Sequence, residues 1–303
     1  MYQYRMLRDF RTMWLAVAGA IVAIIASSAF AQTIAPPDMK KRPAKPAAAE
    51  PQAARFETSD GVKIEADYYP AAVKEGEKAP AAILIHMYPA DRTSWKPLAP
   101  GLHEAGFAVL AYDIRGHGGS TEPADKKLKE AYDKRDSKLF ADAWKDVEAA
   151  KGWLGKQPGC DVSRMALVGA SVGCSIALDY AGRDEAVKAV VCLSPGTKYM
   201  GVDSITHIKK CGKRAILLIS PESEYKAVEE LIKASDGAAK GEKHPGGEKE
   251  HGTGMFKADY GKTVRENIVA FVSKALDIKE PPAAGKKGEE KPGEKKGEKP
   301  KGI

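Results

Sequence analysis

Apolar residues in the middle of the chain fall into short blocks of two kinds. Residues 62–69 alternate apolar and polar, the pattern of a strand with one face towards solvent. Residues 81–85, 107–111, 165–169, 189–193 and 215–219 are instead continuous apolar runs, as expected of strands buried on both faces of a parallel sheet. Between these runs the spacing changes to three and four. Phe140, Trp144, Val147, Ala150 and Leu154 share one helical face, and Ile268, Phe271, Val272 and Leu276 form the stripe of a closing helix. Strand and helix therefore alternate, which predicts βαβ units with right-handed crossovers. The fold class is α/β, with a mostly parallel central sheet and helices on both faces.

The two ends lack this pattern. Arg5, Arg8 and Arg11 precede an apolar run from Met13 to Ala26, and Ala29-Phe30-Ala31 supplies a small-residue cleavage signature. Residues 1–31 thus fit a signal peptide of an exported protein, periplasmic or secreted. An uncleaved anchor is the alternative, since Met13 to Ala31 approaches the roughly 20 residues a membrane span needs. Residues 32–53 are a linker rich in Pro, Ala and Lys, and residues 279–303 a tail of Lys, Gly, Glu and Pro; both compositions favour extended, solvated chain. Residues 54–278 remain for one large domain.

Charge sharpens this division. The chain of 303 residues carries a net +7, yet residues 54–278 hold 33 basic and 33 acidic side chains. The basic excess lies wholly in the ends, so the domain has no footprint for nucleic acid. The tail is basic enough for weak contact with an acidic envelope surface, although simple solvation accounts for it as well.

The sharpest chemical signal is Gly169-Ala170-Ser171-Val172-Gly173, directly after one apolar run and directly before the helical stretch 175–181. A G-x-S-x-G turn between strand and helix holds its serine in a strained conformation, with glycines where neighbouring chain passes close, so the hydroxyl projects into open space. The helix N-terminus beside it favours developing negative charge, and the Val172 N–H points to where an oxyanion would form.

With this elbow the chain resembles the α/β-hydrolase superfamily, serine esterases in particular. Leu84-Ile85-His86-Met87-Tyr88-Pro89 and Asp113-Ile114-Arg115-Gly116-His117-Gly118-Gly119-Ser120 look like further landmarks of that family, and the resemblance spans residues 55–276. It implies a second oxyanion N–H on Met87, or less readily Tyr88, at a position where many members carry Gly. It also implies the chain order nucleophile, acid, base. His251, in Glu250-His251-Gly252-Thr253-Gly254, matches the family's histidine loop better than His244 or His207. Glu224 stands where the acid usually follows the strand 215–219, with Glu222 as the alternative two residues earlier. Residues 236–250 hold no β-branched run, so the family's last strand is expected to be missing or very short.

Other residues have structural readings. His103 and His117 have no partner at metal spacing, no phosphate-cradling glycine loop occurs, and neither cofactor nor metal is expected. Of the four cysteines, Cys160 and Cys211 look loop-borne and are the best candidates for a disulfide, whereas Cys174 and Cys192 read as small buried hydrophobes. Residues 195–214 leave no room for a large cap domain, and the insertion 121–138 is dense in Lys, Asp and Glu. A fairly open mouth and a small-molecule ester substrate, soluble rather than a long-chain triglyceride, are expected. The rival readings are a non-catalytic binding or envelope-associated module on the same fold, and an amidase, peptidase or acyltransferase using the same residues.

Overall fold

The computed structural model describes residues 50–278. The segment 1–31 with its export reading, most of the linker and the tail 279–303 lie outside the described residues. In chain order the elements are β1 (Gln52–Glu57), β2 (Lys63–Tyr69), β3 (Ala79–Ile85), α1 (Ala99–Glu104), β4 (Ala108–Tyr112), α2 (Leu128–Asp133), α3 (Ser137–Ala141), α4 (Trp144–Leu154) and β5 (Cys160–Ala170). They continue as α5 (Val172–Arg183), β6 (Val187–Leu193), β7 (Lys198–Tyr199), β8 (Val202–Asp203), α6 (Ser204–Lys210), β9 (Ala215–Pro221), α7 (Tyr225–Ala234), β10 (Ala239–His244) and α8 (Gly261–Ala275).

Eight strands form one sheet in the order β1-β2-β4-β3-β5-β6-β9-β10. β1 and β2 run antiparallel at one edge, and the strands from β4 to β10 are parallel. The continuous apolar runs are explained by two buried faces. Within β3, Ala81, Ile83 and Ile85 join the layer under α4 to α7, while Ala82 and Leu84 join the opposite layer under α1 and α8. Every position of β3 is buried, so a polar residue at either parity would be stranded away from water.

Four expectations need correction. β1 begins at Gln52, so the strand takes in the last two residues of the expected linker. The helical period 140–154 is split between α3 and α4. The break sets Asp146 in the first turn of α4, fully buried, where its carboxylate accepts the Arg115 backbone N–H at 3.0 Å and Nε–H at 2.8 Å. The proposed Cys160 to Cys211 disulfide is absent: all four thiols are free and buried. Cys160 opens β5 opposite Ala79, whereas the Cys211 thiol lies 3.6 Å from the Leu178 carbonyl beneath α5, so the two occupy different places in the core. Burial pushes their thiols up, to about 11 and about 12.

The last strand, expected to be missing or very short, is a six-residue strand, β10, parallel to β9 and in register from Ala239↔Ile216 to His244↔Pro221. β9 supplies the template, so β10 needs no β-branched run of its own. Lys240 and Lys243, on opposite faces of β10, are both exposed, charges that discourage further pairing at an exposed edge. Gly241 is required by packing: a Cβ there would lie 2.8 Å from Ile232 Cδ1 and 3.0 Å from Val228 Cγ1 and would meet the Tyr225 hydroxyl. Gly241→Val therefore lowers Tm despite the better strand propensity of Val, by an amount corresponding to ~1–3 kcal/mol of overpacking. Thermal unfolding checks it, and a raised Tm would contradict this packing.

Candidate active site

β5 ends at Ala170 and α5 begins at Val172, so Ser171 alone makes the reversal. Its backbone sits at φ 51° and ψ −118°, a region that L-residues enter only when surrounding contacts hold them there. Those contacts are visible. The Ser171 N–H donates to the Leu193 carbonyl at 2.9 Å, and its own carbonyl accepts the Cys174 N–H at 2.9 Å. A Cβ on Gly169 would collide with the Gly173 backbone, and one on Gly173 with the Ile85 carbonyl at the end of β3. The elbow is thus wedged between two strand ends. Val172 is the first residue of α5, where a backbone N–H has no intrahelical acceptor, so the serine stands beside a free donor and the positive end of a 12-residue helix.

The loop after β3 is fixed by a histidine. His86 is fully buried, its Nδ1 is 2.9 Å from the Met87 carbonyl and its Nε2 accepts the Ile114 N–H at 2.9 Å. Because Ile114 must donate, the ring proton belongs on Nδ1, donated to Met87. Burial pushes His86 down to about 4, against the opposing pull of the Met87 carbonyl and Asp113, so the imidazole is neutral. Asp113, also buried, accepts the Gly119 N–H and the Arg92 N–H, each at 2.8 Å, and closes the glycine-rich turn after β4. The side chain of Met87 has a partner too. Its sulfur lies 3.7 Å from the Thr253 hydroxyl, and a Cβ on Gly252 would be 2.6 Å from it. Met87 thereby clamps the loop after β3 to the loop that carries His251.

The chain after β9 makes one 3-10 turn, Glu222–Glu224, before α7. Glu224 Oε1 is 2.8 Å from His251 Nδ1, whereas Glu222 faces solvent and lies 3.5 Å from Lys243. Burial alone would raise the Glu224 carboxyl, but hydrogen bonds from His251 and Ser194, and the His251 charge, outweigh it and hold the group below the ordinary carboxylate range. His251 is followed by Gly252 at φ 56°, whose N–H donates to Ser194 Oγ at 2.9 Å and whose built Cβ would be 3.4 Å from Ala170 Cβ, one residue from Ser171. The two other candidate histidines are engaged elsewhere. His244 Nε2 is 2.5 Å from Glu242 and its ring stacks on Tyr260; His207 Nδ1 is 3.2 Å from Asp179. Glu224 and His251 are thus in contact, the latter on a loop packed beside Ala170 and Met87, while Ser171 with Val172 follows β5 and Met87 follows β3; Glu222, His207 and His244 have other partners.

Two contributors escaped the sequence reading. Ser194, just past β6 with φ 51°, holds the histidine loop by accepting the Gly252 N–H. Tyr199 sits on the small β7–β8 ribbon, its ring edge-on to His251 with centroids 6.3 Å apart. The mouth is accordingly narrower than expected, and Ser171 is only 7% exposed. The available signal was Lys198-Tyr199-Met200-Gly201-Val202-Asp203, a six-residue hairpin pattern with glycine at its turn.

Sheet order, elbow and strand-end cluster define an α/β-hydrolase fold, and comparison with known proteins agrees. Residues 80–209 match the model of the alpha/beta hydrolase fold family. The matched stretch runs from β3 into α6 and includes the elbow at Ser171. The chain is similar to an uncharacterized protein of Mycobacterium tuberculosis, 29% identical over 176 residues, 58% of this chain and 54% of that one, so that it spans about half the length of this relative. Epoxide hydrolase A of the same organism is 40% identical over 80 residues, 26% of this chain and 22% of that protein. Among solved structures, an esterase of Pyrococcus furiosus superposes with TM-score 0.57 at 17% identity, covering 75% of this chain and 91% of that one. A dienelactone hydrolase of Anabaena variabilis gives TM-score 0.57 at 18% identity, covering 75% and 100%.

The burial of neutral His86 has a pH consequence. A histidine whose folded pKa is lowered binds its proton more readily when unfolded, so its contribution is intact above about 6.5 and is lost as pH falls towards about 4. Wild-type Tm should decline across that window. His86→Gln, which can still donate to Met87 and accept from Ile114, should flatten the decline; an unchanged slope would remove His86 as its source.

Proposed function

We propose that the protein is an exported serine hydrolase that cleaves carboxylic esters through an acyl-enzyme on Ser171. The observation that carries this reading is the 2.8 Å contact between His251 Nδ1 and Glu224 Oε1 in a loop packed against the elbow. A glutamate bonded to Nδ1 fixes that proton and leaves Nε2 as a base. Ser171 Oγ attacks the carbonyl carbon, and its proton passes to His251 Nε2. The Val172 and Met87 N–H groups receive the resulting oxyanion. Collapse breaks the bond to the alkoxy oxygen, which takes the proton from His251, and water repeats the sequence on the acyl group.

The substrate reading is a small or soluble ester. Between β6 and β9 lie only the β7–β8 ribbon and α6, too little chain for a large cap, and the charged segment 121–138 is a poor lid for lipid. Export rests on Arg5, Arg8, Arg11 and the apolar run before Ala31. No helix among the described residues is long and apolar enough to cross a membrane.

Ser171→Ala should abolish both ester turnover and labelling by a fluorophosphonate while leaving Tm near wild type; undiminished labelling would sink the assignment. For the acid, Glu224→Gln should lower kcat on the order of 10³ to 10⁴, because Gln favours the wrong imidazole tautomer. Glu222→Gln should change little. Steady-state rates on a p-nitrophenyl ester series, run beside matching amides, check both statements and separate ester from amide cleavage.

A further inference from the structure

The β7–β8 ribbon is a built device. Met200 and Gly201 at its tip have φ 49° and 85°, the twist of a two-residue type I′ hairpin. Tyr199 pairs with the buried Val202, and Asp203 at the ribbon's end caps α6 by accepting the Thr206 N–H at 3.1 Å. Gly201 packs against Ser137 at the start of α3, where a Cβ would lie 2.5 Å from that side chain. Behind Tyr199 stands Gly196, where a Cβ would come within 2.5 to 2.9 Å of three ring atoms. The ring is thus seated on a glycine and cannot retreat from the site.

Its position selects a role. The oxyanion donors Val172 and Met87 lie on the β3 side of Ser171, whereas Tyr199 follows β6 and stands edge-on to His251. The leaving oxygen must face His251, which protonates it. We propose that Tyr199 is a catalytic residue on the alcohol side of the site: its hydroxyl donates a hydrogen bond to the departing alkoxy oxygen, and its ring walls the side of the site beside His251. The phenol keeps its proton throughout; the transferred proton comes from His251. Burial and the nearby Glu224 carboxylate raise the Tyr199 phenol, which keeps it a donor at neutral pH. This inference rests on the serine-hydrolase reading above.

Esters of one acid with alcohols of graded acidity test it. Tyr199→Phe should lower kcat/KM about tenfold for methyl and ethyl esters, whose alkoxides are poor leaving groups, and little for the p-nitrophenyl ester, which departs without help. Tyr199→Phe should still be labelled to completion by a fluorophosphonate, at whatever rate, showing that Ser171, His251 and Glu224 remain assembled. Gly196→Ala, which displaces the ring while keeping the hydroxyl, should reproduce the same selectivity. Equal loss on all esters, or none on any, overturns the assignment of Tyr199 while wild-type labelling stands. Absence of wild-type labelling and turnover overturns the underlying hydrolase reading instead.

Discussion

The carboxyl edge of this sheet is organised by one close approach. Gly173 in the first turn of α5 lies so near the Ile85 carbonyl at the end of β3 that no side chain fits between them. Because β3 and β5 are parallel and paired up to Ile85↔Gly169, their ends are level, and a helix leaving β5 must pass over the end of β3. Only a reversal in one residue achieves this, which forces Ser171 to positive φ and lifts its side chain from the sheet. The same approach brings the loop after β3, with Met87, alongside the helix N-terminus. The strained serine and the two neighbouring amide groups are consequences of one packing contact.

Electrostatics at this edge push two ionisable groups to opposite charge states at neutral pH. His86, buried with both nitrogens engaged by backbone, is held uncharged. Glu224, half-buried and bonded to His251, is held ionised. The difference lies in the partners. Backbone N–H and C=O groups satisfy a neutral imidazole completely, whereas the partner of Glu224 is a donor, the His251 Nδ1–H, which favours the ionised carboxylate. A neutral histidine braces one loop, and a second histidine is held by a carboxylate in the other.

The strands and the elbow were legible because their constraints are local. Two buried faces demand unbroken apolar runs, and a strand-to-helix reversal demands Gly169 and Gly173. What escaped depends on distant chain. β10 is a strand because β9 offers it a ladder and because Tyr225, Val228 and Ile232 leave room only for Gly241, so its sequence carries charge and glycine instead of β-branched residues. Cys160 and Cys211 looked loop-borne because each borders a strand, yet both are sealed into the core by chain remote in sequence. Tyr199 was invisible for a third reason: a two-residue strand has no period, and its turn is recognised only from backbone conformation at Met200 and Gly201.

The acid itself shows how a single methylene is accommodated. Glu224 is the last residue of the 3-10 turn after β9 and also the N-terminal flank of α7, so its backbone is set by a helix start and not by a free loop. A carboxylate placed there is favoured by the helix dipole, and the added reach of Glu spans the gap to His251 from a position that the helix holds. On the other side, Gly252 lets the histidine loop settle against Met87 and Ala170, and its N–H is tied to Ser194. Ser194 therefore holds the histidine end of the contact between acid and imidazole, which is why a buried hydroxyl just past β6, at positive φ and far from His251 in sequence, belongs to the site as much as the residues whose chemistry is easier to read.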